Sequence, residues 1–258
     1  MNRITALAAT VALAAGSLAL TAPTQAAPAR AYKVTAKANL EVAVAKEDTV
    51  KVRGRVTPKA AGQKVVLQQR VGNKKTWKAT GKATIKRNGT YVLKDKPTTP
   101  GSREYRVLKP GKGAVKKGYS KALEVQVYGW EKLINRVSGP SVNLEPAYVY
   151  IGAEAYPSSL ATTTSGTPSS IEYTLGRKCT DLRATYALTD SSATGSSGAA
   201  TVTADGEVLA VHSLAVGTIV ADEVLDVTDV FRLKLDLSTT ATPAAVAAVA
   251  TPEVLCTR

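Results

Sequence analysis

Apolar and polar positions alternate in short runs along most of this chain, with a period of two. In "TVKVRGRV", Val50, Val52, Gly54 and Val56 fall on one face and Lys51, Arg53 and Arg55 on the other. That is the signature of a half-buried strand with a basic outer face. "QKVVLQQRV", "SREYRVLK" and "KALEVQVY" read as further strands. In "ATIKRNGTYVL", Asn88-Gly89 stands between two such runs and predicts a hairpin, because both turn residues tolerate positive φ. Later, "FRLKLDLS" turns Phe231, Leu233, Leu235 and Leu237 inward, and "IEYTL" does the same with Ile171, Tyr173 and Leu175. Asp205-Gly206 predicts a second hairpin, and "DEVLDVTDV" and "PEVLC" complete the set. No stretch carries a long helical period, so the expected fold class is all-β, built as two β-sandwiches.

Charge divides the chain. Residues 32–128 hold 24 Lys and Arg against 6 Asp and Glu, a net of +18. Residues 129–258 hold 8 against 14, a net of −6; Arg3 and Arg30 complete the total of +14. A reversal of this size marks a boundary. The expected organisation is a basic sandwich at 32–128, a short junction at 129–142 and an acidic sandwich at 143–258. Before them, Arg3 and the apolar run "ITALAATVALAAGSLAL" read as a secretory signal peptide, residues 1–26, cut after Ala26. No later stretch is long and apolar enough to span a bilayer, so the mature chain is expected to be secreted, extracellular or wall-associated.

Export changes the meaning of the two cysteines. Cys179 lies beside Arg177 and Lys178, and could be read as a nucleophile, a metal ligand or half of a crosslink. No metal-ligand spacing is present, and only one histidine could serve as a base. Outside the cell a thiol pair oxidises, and two cysteines permit one pairing, Cys179 with Cys256.

Residues 48–128 carry a V-x-G-x-V strand at 52–56, G-Q-K-V-x-L-Q at 62–68, Trp77, a G-x-Y at 89–91 and Y-R-V at 105–107. This order resembles the immunoglobulin-like repeats of secreted bacterial surface proteins, which implies a spacer or adhesive module. Residues 143–257 carry I-E-Y-x-L-G-R-K-C-x-x-L-x-A at 171–184, Asp190-Ser191, V-x-A-D-G at 202–206, L-x-V at 225–227, F-R-L-K-L at 231–235 and the final P-E-V-L-C. Together these resemble the novel putative carbohydrate-binding module family, NPCBM. The resemblance implies a galactose-binding-like jelly roll that rides on secreted proteins. A tryptophan common before the last strand of that family is replaced here by Ala250-Thr251.

The candidate chemistry is recognition without reaction. His212 shares an alternating face with Val208, Ala210 and Leu214, which suits a core or edge histidine better than a catalytic base. The expectation is therefore no enzyme, no catalytic residue and no metal; a structural calcium held by "ADEVLDVTD" is the one cofactor left open. The basic surface candidates are Lys51, Arg53, Arg55, Lys82 and Lys86, suited to an anionic wall polymer. Nucleic acid fits less well, since Trp77, Tyr91, Tyr105 and Tyr119 are scattered and alternation would spend most of them on the core. The glycan-contact candidates are Tyr156, Arg183 and Trp130; Tyr148 and Tyr150 alternate like core residues. The expected partner is an extracellular polysaccharide or anionic wall polymer. A protein partner, bound by an interaction or inhibitory module on an Ig-like spacer, is the alternative.

Overall fold

The computed structural model describes residues 30–258; the signal-peptide reading, residues 1–26, lies outside the described residues. Twenty strands run through them in chain order: β1 (Lys33–Val34), β2 (Lys37–Ala38), β3 (Val42–Val44), β4 (Val50–Thr57), β5 (Lys64–Val71), β6 (Lys78–Thr84), β7 (Thr90–Asp95), β8 (Gly101–Lys109), β9 (Gly118–Tyr119), β10 (Leu123–Lys132), β11 (Ser138–Val142), β12 (Leu144–Ile151), β13 (Glu154–Thr162), β14 (Ser169–Thr174), β15 (Cys179–Leu188), β16 (Ser197–Ala204), β17 (Glu207–Ala215), β18 (Ile219–Asp226), β19 (Arg232–Thr239) and β20 (Ala247–Cys256). The described residues contain no α-helix, and a single 3₁₀ turn covers Leu133–Asn135. The fold is all-β.

Three sheets are built from these strands. In the first, β4 is flanked by β1, β2 and β7. The second follows the order β12-β13-β20-β10-β8-β5-β6, with β15 against β20, β18 against β15, β3 parallel to β10 and β9 beside β8. The third follows β11-β14-β19-β16-β17.

Period-two burial explains how they stack. Val50, Val52 and Val56 of β4, with Tyr91 and Leu93 of β7, face Val65 and Leu67 of β5, Tyr105 and Val107 of β8, and Val125 and Val127 of β10. A second core lies between Leu182 and Tyr186 of β15, with Val249 and Val254 of β20, and Ile171, Tyr173, Leu233, Leu235 and Leu237 of β14 and β19. Each such Leu, withdrawn from water, contributes roughly 1.5–3 kcal/mol.

One strand serves both cores. Leu123–Val127 of β10 pair with β8, while Gly129–Lys132 of the same strand pair with Cys256–Glu253 of β20. The segment read as a junction, 129–142, thus holds the end of β10, the 3₁₀ turn and β11.

The cysteines form the expected bond. Cys179 and Cys256 sit opposite each other on β15 and β20 and are joined as a disulfide, with both side chains buried.

Three details of the pattern come out differently. Asn88-Gly89 does turn the chain, with Gly89 at φ 82°, but β6 pairs with β5 and β7 with β4. The turn joins two sheets around the buried Ile85 and closes no hairpin ladder. Phe231 is 43% exposed, because β19 starts one residue later, and its ring lies beneath the Arg177 guanidinium. Tyr148 and Tyr150 are exposed and Val149 and Ile151 are buried, so β12 presents the opposite face. A register shift between Ala147 and Val149 accompanies that switch.

Candidate functional site

The outer face of the first sheet is basic. Alternation turns Arg53 and Arg55 of β4 to solvent, and across the ladder Lys51 pairs with Lys94, Arg53 with Val92 and Arg55 with Thr90. On the other side of β4, Lys37 pairs with Arg53. Lys37, Arg53, Arg55 and Lys86 line one open depression of about 690 Å³, with Thr35, Gly54 and Tyr91 at its floor. The floor depends on Gly54. The Thr35 backbone passes directly over it, and the Tyr91 hydroxyl donates to the Thr35 carbonyl. A Cβ at residue 54 would collide with both groups. Burial pushes the Tyr91 phenol far above its usual range, so it stays a neutral donor.

Lys37, Lys51, Arg53, Arg55 and Lys86 make no ion pair with any described residue. In the basic half the ion pair among described residues is Arg70 with Glu104, on the second sheet. The face therefore carries uncompensated charge in a plane. Lys82 is exposed on β6 of the second sheet and does not line the depression.

Of the three glycan-contact candidates, two come together. The Arg183 guanidinium lies 4.2 Å from the Trp130 ring centroid, and its Nη2 donates to Glu253 at 2.7 Å. Arg183 stands on β15, Glu253 on β20 and Trp130 on β10, so this stack bridges the three strands where the two cores meet. Arg183 is thereby engaged from two sides. Tyr156 lies apart. It packs against the small cluster formed by Val149, Ile151, Ala187, Ala248 and Ala250, and its hydroxyl donates to Glu154 at 3.2 Å. Partial burial, then the Glu154 carboxylate, pushes its phenol up.

The aromatic pair that alternation assigned to the core is the exposed one. Tyr148 and Tyr150 are 59% and 52% exposed, with ring centroids 5.4 Å apart. They border a depression that also takes in Thr162, Thr189, Asp190 and Ser191. The Asp190 carboxylate accepts from the Gly152 and Ala153 N–H groups at 2.7 and 2.8 Å and so holds the β12–β13 turn.

His212 is half-buried on β17, the edge strand of the third sheet. Its Nε2 lies 2.8 Å from Glu223 Oε2, and its ring packs on Tyr186 at 4.8 Å between centroids. Leu214 is buried and Ala210 packs on the core, whereas Val208 points to solvent beyond a register shift in β16–β17. No Ser, Thr or Cys side chain is hydrogen-bonded to His212 among the described residues. The acids of "ADEVLDVTD" are dispersed: Glu223 faces His212, and Asp226 accepts from the Thr228 N–H at 2.8 Å. Among the described residues, no group of three or more His, Cys, Asp or Glu side chains is placed to hold a metal ion. No helix among them is long and apolar enough to cross a membrane.

Compared with known proteins, the chain matches no protein-family model, and no curated protein matches it in sequence.

Proposed function

We propose that this chain is a secreted, non-catalytic binding protein that attaches to extracellular glycan or to an anionic wall polymer. One observation carries the reading: Lys37, Arg53, Arg55 and Lys86 surround a single depression and form no ion pair with an acid among the described residues. A plane of unpaired cations on a rigid sheet attracts a polyanion at long range, and salt weakens that attraction. In this reading the basic half is an Ig-like module and the acidic half an NPCBM-like jelly roll. The acidic half would repel the same polymer and so orient the molecule on it.

The test is retention on immobilised poly(glycerol phosphate) across a salt series, with a neutral glucan as control. The unsubstituted protein should be held at low salt and released as salt rises. An Arg53→Gln/Arg55→Gln variant should elute much earlier. Equal retention on the neutral glucan, or no change in the double variant, would defeat the reading.

A second reading is a protein-interaction module on an Ig-like spacer. It is favoured by β17, the edge strand of the third sheet, which exposes Val208, Leu209 and Val211 and pairs among the described residues with β16 alone. A protein recovered with the chain in the absence of any polymer retention would support it.

A further inference from the structure

We infer that Arg106 and the two rings beside it form a second binding site, for a sugar ring that bears a carboxylate or a phosphate. The site lies on the outer face of the second sheet, whereas the cationic depression lies on the first. It rests on the anionic-polymer reading above, and names the acidic sugar that a glycan of that class would offer.

The geometry is that of a guanidinium held in place. The Arg106 Cζ lies 4.1 Å from the Trp77 ring centroid and 4.4 Å from that of Tyr119. Its Nε donates to Gln68 Oε1 at 2.9 Å. Gln68 is its register partner on β5, Trp77 comes from the segment before β6, and Tyr119 lies on β9 at the other edge of β8. The β9 backbone is fixed in turn, because Gly118 lies against the Tyr32 carbonyl so closely that a Cβ would not fit.

What remains free is the fork. Neither Nη group of Arg106 makes a hydrogen bond or ion pair with any described residue. The neighbouring Arg70 differs, since its Nη2 is bound to both oxygens of Glu104 at 2.7 Å. Arg106 therefore offers two parallel N–H donors, the arrangement that matches a carboxylate or phosphate in bidentate fashion. Because its plane is already immobilised, little side-chain entropy is lost on binding. Lys117, with Nζ 5.8 Å from the Tyr119 ring, adds positive charge at the rim.

The rings narrow the ligand. Tyr119 is 40% exposed and Trp77 half-buried, so apolar surface remains beside the fork. A bare ion would leave that surface unused. A pyranose presents C–H faces to such rings while its acidic group meets the guanidinium.

The experiment follows the indole N–H of Trp77 by NMR in the full chain, with the resonance assigned through Trp77→Phe and Trp130 as internal reference. The probes are methyl β-D-glucuronide, glucose 6-phosphate, methyl β-D-glucoside and inorganic phosphate. A saturable shift with the glucuronide, the sugar phosphate or both, at least tenfold weaker with the other two probes, is the expected result. Which acid shifts the signal tells the carboxylate source from the phosphate source. Arg106→Lys keeps the charge but loses the fork, and should weaken the shift at least tenfold while the remaining spectrum stays in place.

No shift with either acidic sugar, an equal shift with methyl glucoside or inorganic phosphate, or full binding by Arg106→Lys would overturn the site. Polymer retention by Arg53 and Arg55 is measured separately. A chain that is retained but shows no Trp77 shift loses only this site; one that shows the shift but is not retained loses only the earlier reading.

Discussion

Cys179 and Cys256 lie directly opposite each other in the β15–β20 ladder, with Cα atoms 3.9 Å apart, although 77 positions separate them in the chain. The bond closes that long loop at the place where β10 also joins β20, since Gly129 is the partner of Cys256 on the other edge. A loop of that length restricts the unfolded chain by about 4–5 kcal/mol in the chain-entropy account. Replacing both residues, as Cys179→Ala/Cys256→Ala, should lower unfolding free energy by up to about that amount. Urea denaturation of the oxidised parent and the double variant reads the difference. Equal midpoints would show that the bond adds nothing to the fold.

Gly54 is required by the close passage of Thr35 over β4. Gly54→Ala should cost at least about 1–3 kcal/mol, the usual penalty for forcing extra volume into a packed site. The Thr35 backbone must move, and with it the hydrogen bond from Tyr91. Denaturation measures the cost, and a weakened retention on polyanion would report the damaged depression.

The turn between β12 and β13 hangs on one side chain. Asp190→Ala removes an acceptor from two backbone N–H groups, and bonds of this charged kind are worth about 1.5–3 kcal/mol each when lost from protected sites, less at an exposed one. Hydrogen exchange at Gly152 and Ala153 should accelerate strongly, while amides of the β4–β7 ladder stay protected. Unchanged exchange at the turn would contradict the role given to Asp190.

Acid should loosen the β16–β17 end of the acidic half. The N–H groups of Phe231 and Arg232 point at Asp205 and hold its carboxyl below the usual carboxylate range. Asp226 is lowered too, by the Thr228 hydroxyl and N–H. A carboxyl with a depressed folded pKa contributes stability that is present above its unfolded value, about 3.9. That contribution disappears as pH falls through the folded value. Unfolding free energy of the parent should therefore drop below about pH 4, and Asp205→Asn should flatten that drop. Parallel curves for the two proteins would remove Asp205 from the explanation.

Much of the sheet architecture was readable because burial follows period two. Val50, Val52 and Val56 are buried as the alternation of "TVKVRGRV" required, and Asp205-Gly206 closes the hairpin between β16 and β17 with positive φ at both residues. Alternation fails at irregular points. The register shift before Val149 reverses the face of Tyr148 and Tyr150, and no residue type in "AYVYI" announces it. Phe231 fails for a related reason, since the strand begins one residue after the run does. Alternation and charge counting pointed to Lys51, Arg53, Arg55, Lys82 and Lys86 as a basic surface, but could not tell a free arginine from an engaged one. Arg106 and Arg183 both stack on rings contributed by residues distant in the chain. Such contacts are set by which strands become neighbours, and that information is non-local.

The sharing of β10 has a mechanical consequence. A molecule anchored by its basic sheet and pulled through its acidic end would carry the tension along one unbroken strand. That strand is held by its ladders, Leu123–Val127 with β8 and Gly129–Lys132 with β20. Such a pull would have to break those ladders before the chain between the two cores could lengthen.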